Sequence, residues 1–216
     1  MSIELSNDTI RFRGSFRPQH FGFFLDHMQS LLLGKPRQLV LDFLNCTEAF
    51  PNTMLPTIAM VARFRIMDYQ IYATLPSEPI PRERFISSNW AHYLSPQQYS
   101  LSDDMAEPHL VCRHYKTAKE HYAILNGIID LIIKTVRPPR SALSMLEWVI
   151  NEIMDNVINH SESQVGGFVQ LAIFPPSKKF AICVVDSGRG ILNSLNSTAR
   201  VQMTHLCRCF LWDLAA

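Results

Sequence analysis

The stretch from Met145 to Ile191 limits what this chain can fold into more than any other. It opens MLEWVINEIMDNVINHS, where Leu146, Val149, Ile150, Ile153 and Val157 recur at three- and four-residue steps. That spacing predicts a helix with one apolar face. Glu152, Asn156 and His160 recur at four-residue steps on another side. Two strand-like runs follow, GFVQLAIF and FAICVV, and the second leads into Asp186-Ser-Gly188-Arg-Gly190-Ile191. Glycines at that spacing permit a tight turn and let backbone amides approach a ligand.

The elements around this stretch extend the pattern. HLVCRHY (109–115) reads as an edge strand. AKEHYAILNGIIDLIIKTV (118–136) reads as a helix, with Ile124, Leu125, Ile128, Ile129, Ile132 and Ile133 apolar. RPPR ends it, and Ser144-x-x-Glu147 has the spacing of a capping box for the next helix.

These residues carry a family resemblance. Glu152-x-x-x-Asn156-x-x-x-His160 resembles the asparagine box of the histidine-kinase-like (GHKL) ATPases. Asp186-x-Gly188-x-Gly190-Ile191 resembles their first glycine box. The resemblance covers about Ala118 to Ile191 and looks closest to the anti-sigma-factor kinase and stand-alone ATP-binding branches. It implies a two-layer α/β sandwich holding ATP and Mg²⁺ between the asparagine-box helix and the sheet.

The same resemblance implies a role for each residue. Asp186 would accept a hydrogen bond from the adenine amino group and reject guanine, whose oxygen there would leave acceptors unpaired. Gly188 and Gly190 would let the chain pass close to base and sugar, with Ile191 beside them in the box. Asn156 would hold Mg²⁺ through its amide oxygen, as suits an ion that keeps waters and phosphates in its shell. Glu152 would polarise the attacking water or hydroxyl as general base. His160 would approach phosphate or close the pocket rim. Each residue also has a plain structural reading. Glu152 and Asn156 suit a solvated helix face, His160 suits a helix C-terminus, and Asp186 suits a strand-end turn. His121 occupies a helix where sensor kinases carry a phosphoacceptor histidine, but His-Tyr-Ala lacks the acidic neighbour usual there.

The N-terminal half reads β-β-α-β-α-β. A hairpin turns at Asn7-Asp8, and a helix runs from Gln19 to Leu33. QLVLDF (38–43) and QIYATLP (70–76) are strands, with a helix between them from Pro51 to Asp68. LVLDFLNCTEAFPNT resembles the strand–loop–helix of STAS domains, the sulfate-transporter and anti-sigma-antagonist fold. In that family a Ser or Thr at the helix start is phosphorylated. The corresponding position falls near Asn52 or Thr53, with Pro51 where Asp is usual, so Thr53 reads as a helix-start residue instead. Residues 76–108 read as loop, with FISSNWAHYL as a short helix docking Trp90, Tyr93 and Leu94. The expected architecture is therefore α/β (α+β), with a STAS-like domain over 1–105 and an ATPase-like domain over 110–216.

Composition narrows the partners. Net charge is +1, and the chain carries no basic stripe for nucleic acid. No apolar run approaches the roughly 18 residues that span a bilayer. MSIELSNDTI is no signal peptide, so the expected location is the cytoplasm. Cys46, Cys112, Cys183, Cys207 and Cys209 show no C-x-x-C pair, and Cys112-x-His114 is too little for a metal.

The sequence departs from the GHKL pattern at its end. Only 25 residues follow Ile191, and Gly190 is the last glycine. The lid and second glycine box that wrap a triphosphate have no counterpart, so the reading is of a domain truncated after the first glycine box. Without those amides most phosphate contacts are missing, which implies weak nucleotide binding and little turnover. It also implies an uncovered sheet edge that invites a protein partner or a homodimer.

Overall fold

The computed structural model describes residues 2–34, 38–102, 110–174, 179–188 and 207–213. The fold is mixed α/β, and the chain divides into two compact units, Met1–Ser102 and Asp103–Ala216.

The first unit is a sheet covered by helices. β1 (Ser2–Ser6) and β2 (Thr9–Phe16) form an antiparallel hairpin. The hairpin turns at Asn7, whose φ of 52° is a left-handed conformation that Asn tolerates. A 3-10 turn at Pro18–His20 leads into α1 (Phe21–Gly34). β3 (Gln38–Ala49), α2 (Pro51–Ile66) and β4 (Gln70–Thr74) follow, and the sheet order is β1-β2-β3-β4 with β2, β3 and β4 parallel.

Aromatic rings form its core. Phe12 stacks on Phe43 at 4.2 Å and 11°, and Phe43 meets Phe85 edge-on at 5.1 Å. Phe85 in turn meets Trp90 at 5.5 Å. Such offset and edge contacts add to what ring burial already contributes.

The strand read as ending near Phe43 continues to Ala49. Its second half is polar in sequence, but it pairs with β2 as Arg13↔Asn45, Gly14↔Cys46, Ser15↔Glu48 and Phe16↔Ala49. The region read as loop after Leu75 holds two helices, α3 (Pro79–Ser87) and α4 (Trp90–Leu94). Pro79 opens α3 at the first helical position, where its missing N–H costs no bond. Asn89, at φ 64°, breaks the run between them. Trp90 and Leu94 are buried as expected, whereas Tyr93 is half-buried.

Both edges of this sheet meet side chains. On β4, Arg65 donates to the Ile71 carbonyl (3.3 Å), and the Ala73 amide donates to Ser95 Oγ (3.0 Å). On β1, His27 Nε2 donates to the Ile3 carbonyl (3.3 Å).

The second unit lays two helices on one face of an antiparallel sheet. β5 (Leu110–Tyr115) leads to α5 (Ala118–Thr135) and α6 (Arg140–Asn159), then to β6 (Gly167–Phe174), β7 (Lys179–Asp186) and β8 (Cys207–Asp213). The sheet order is β5-β6-β7-β8. Its core is mainly aliphatic, with Ile128 and Ile132 from α5, Ile150 and Met154 from α6, and Leu171 and Ile182 from the sheet, and it includes the Tyr115 and Phe180 rings.

Two readings of the sequence are corrected here. Ser144 lies inside α6, which starts after Pro139 with no side-chain cap. The capping box is at α5 instead, where Thr117 Oγ1 accepts from the Glu120 amide (3.3 Å) and Glu120 Oε2 accepts from the Thr117 amide (3.0 Å). The edge expected to lie uncovered beyond FAICVV is covered, because β8 pairs with β7 from Lys179↔Asp213 to Val185↔Cys207. No described helix is long and apolar enough to cross a membrane.

Candidate functional site

Helix α6 presents two faces. Leu146, Ile150, Ile153, Met154 and Val157 are buried against the sheet. Glu152, Asn156 and His160 are exposed, with His160 at the C-cap. Trp148, one turn before Glu152, is 64% exposed.

Asp186 ends β7 and is only 5% exposed. It pairs in register with Gly167 of β6. Its Oδ1 accepts from the Gly188 amide (2.7 Å), which closes the turn. Gly188 backs onto Ser161, the residue after the C-cap of α6. A Cβ there would run into the carbonyl oxygen and carbon of Ser161. The glycine is therefore required by close approach. Gly190 and Ile191 lie outside the described residues.

A serine cluster ties the loop after α6 to this turn. Ser161 Oγ donates to the Val157 carbonyl (2.6 Å) and accepts from the Ser163 amide (3.0 Å). Ser163 Oγ donates to the Gly166 carbonyl (2.8 Å) and lies 3.4 Å from Ser187 Oγ. Sequence reading missed these serines, although SESQVGG between a helix and a strand is a turn signal.

Gly167 is needed for a different contact. A Cβ there would meet the Tyr115 ring at 2.7 Å and Val157 at 2.8 Å. Tyr115 is fully buried, and its hydroxyl donates to the Met154 carbonyl (3.3 Å). Burial, and the nearby carboxylates of Asp186 and Asp155, push that hydroxyl above the ordinary phenol range. The ring thus spans from the middle of α6 to the start of β6.

Chemically, the described residues offer a buried carboxylate at a strand end and an exposed Glu–Asn row on the helix that ends beside it. The first suits recognition of a base amino group, and the second suits an oxygen-bound cation. Among the described residues no three His, Cys, Asp or Glu side chains gather as a metal site. An Mg²⁺ held by one amide oxygen and phosphates needs no such cluster.

Thr53 and His121 stand apart from this site. Thr53 is completely buried at the third position of α2, with Oγ1 against the carbonyls of Phe50 (2.9 Å) and Phe16 (3.2 Å). Those bonds fit a helix-start role, and phosphorylation would require expelling the side chain from the core. His121 is 1% exposed, which leaves no path to a phosphoryl donor in this conformation.

The first unit has a smaller candidate. A cavity of about 140 Å³ is lined by Thr47, Glu48, Ile80, Pro81, Arg84 and Phe85, among others. It lies at the carboxyl end of β3, where open α/β sheets commonly bind ligands. Glu48 there accepts from Ser15 Oγ (2.7 Å) and Arg17 (3.4 Å), bonds that hold its carboxyl below the usual range.

No protein-family model, curated protein or solved structure matches this chain.

Proposed function

We propose that Asp103–Ala216 binds ATP with Mg²⁺ in the manner of the histidine-kinase-like ATPases. In this reading the chain is a cytoplasmic regulatory or switch protein whose first unit is STAS-like. ATP hydrolysis or phosphorylation of a protein is the activity expected of full-length relatives. One observation carries the reading: the turn that follows Asp186 packs, at Gly188, on Ser161, the residue after the C-cap of the helix that bears Glu152, Asn156 and His160. Gly188 of the second motif thereby lies beside the residue that follows His160 of the first. Asp186 would receive the adenine amino group, with Gly188, Gly190 and Ile191 alongside. Asn156 would hold Mg²⁺, Glu152 would draw a proton from the attacking hydroxyl, and His160 would stand at the pocket rim. Mg²⁺ would supply charge neutralisation at the phosphates.

A second reading has its own observation. Asp186 already serves its turn by accepting from Gly188, and the glycine is explained by Ser161 alone. In that reading the unit is a non-catalytic protein-interaction module, working through a partner chain or a second copy.

Calorimetry with ATP and Mg²⁺ on the wild type and on Asp186→Ala separates them. Binding in the wild type that disappears in the variant supports the ATP reading. No binding in the wild type overturns it and leaves the interaction module. Where binding is found, ATP loss that persists in Glu152→Ala refutes Glu152 as the base.

A further inference from the structure

The first turn of α5 buries an imidazole. His121 is 1% exposed, and among the described residues neither ring nitrogen has a hydrogen-bond partner. A buried polar atom left unbonded keeps the cost of its lost hydration with nothing to offset it. Such a group persists in a core either as a strain or as a device.

Its neighbours come from three elements. On α5 itself, Tyr122 stacks on the ring at 4.9 Å and 25°. From β5, the Tyr115 ring lies 6.1 Å away at 35°. From α6, Asp155 is the charged group whose field reaches it among the described residues. Asp155 is steadied by Asn159, whose Nδ2 donates to Oδ2 (2.7 Å). The adjacent Glu120 is turned away, since its Oε2 accepts from the Lys116 and Thr117 amides in the cap of α5.

We propose that His121 is a proton-operated latch between α5 and α6. Neutral, it stays packed against the Tyr115 and Tyr122 rings. Protonated, it leaves that apolar seat to pair with Asp155, which displaces the turn of α6 between Glu152 and Asn156. An imidazolium carries two donors and a full charge, and among the described residues its seat offers neither nitrogen an acceptor. The latch goes beyond the ATP reading and is measured without nucleotide, so the two can fail separately.

The direction of the pH effect follows from burial, which lowers the His121 pKa from its ordinary 6.5. The unfolded chain then takes up the proton first as pH falls. Stability from the neutral ring is present above about pH 6.5 and is lost as pH drops through that value towards the lower folded one.

Two measurements on the full chain test the latch. The first follows the His121 C2–H resonance in ¹H–¹³C spectra, assigned with His121→Gln. A midpoint below 6.5 that is accompanied by shifts of the Asp155 and Asn156 amides is expected. A midpoint at or above 6.5, or titration with those amides unmoved, would overturn the proposal. The second is urea unfolding from pH 7.5 to 5.0. One differential proton raises the unfolding equilibrium constant by up to about 10-fold per pH unit. The wild type should show that rise and a folded His121→Phe variant should lack it, so equal slopes would also overturn the latch. Should His121→Phe not fold, the resonance titration decides alone.

Discussion

The two units differ in the kind of polar group they bury. In the first, Thr57 Oγ1 bonds the Thr53 carbonyl (2.8 Å), and Asn89 pairs with both the amide (3.0 Å) and carbonyl (2.9 Å) of Ser102. Arg65 serves three carbonyls, those of Ile71, Tyr93 and Leu94. There, buried polarity is a fastener. In the second unit the core is mainly aliphatic, and three of its buried ionisable side chains, Tyr115, His121 and Asp186, lie along the route from α5 to the end of β7. There, buried polarity clusters beside the candidate site. Tyr115 and Asp186 also end on backbone, at Met154 and Gly188, but both side chains are ionisable, whereas Thr57 and Asn89 are not.

Four substitutions would break or sharpen this contrast. Phe43→Ala should be the costliest, at about 3–5 kcal/mol by urea unfolding, because it removes a ring stacked on Phe12 and opens a cavity. A loss under about 1 kcal/mol would mean the aromatic core collapses freely. Arg65→Met keeps the stem but strips the carbonyls of their donor, and should cost about 2–3 kcal/mol. A neutral result would remove the fastener reading. Gly188→Ala should cost about 1–3 kcal/mol and perturb amide shifts at both Ser161 and Asp186, since the new methyl must push one from the other. Shifts confined to Gly188 itself would show that the turn and the helix end are not coupled. Thr117→Ala should cost only about 1 kcal/mol, read as faster amide exchange in the first turn of α5. Unchanged exchange there would mean that Glu120 alone supports the cap.

The sequence foretold elements wherever period and local chemistry agree. The apolar spacing of Leu146 to Val157 marked α6 and its buried face, and Asn7-Asp8 marked the hairpin. It failed where tertiary pairing overrides local preference. Asn45 to Glu48 has weak strand character, and its extended form comes from the neighbouring β2. Pro79 and Pro81 read as loop punctuation, although a proline just inside a helix start is equally a start signal. Ser144-x-x-Glu147 matched a cap that α6 does not use, while Thr117-x-x-Glu120 matched one that α5 does; spacing alone cannot tell which serine or threonine falls at a true helix boundary. The tail around Cys207 to Asp213 lacks alternation, so its pairing with β7 could not be read from pattern. Of the site, the exposed row on α6 and the buried Asp186 were legible. The serines behind Gly188 and the unbonded His121 were not, because burial and partners are properties of the assembled core.

The closed flank of β4 has a consequence for how this protein behaves among other chains. Ile71 and Ala73 already have an arginine and a serine as bonding companions, so a stray extended peptide gains little by lying alongside them. The first unit therefore has a set width on that side. Adding a fifth strand there would mean first evicting residues from its own interior, a toll that a misfolding neighbour in a crowded solution is poorly placed to meet.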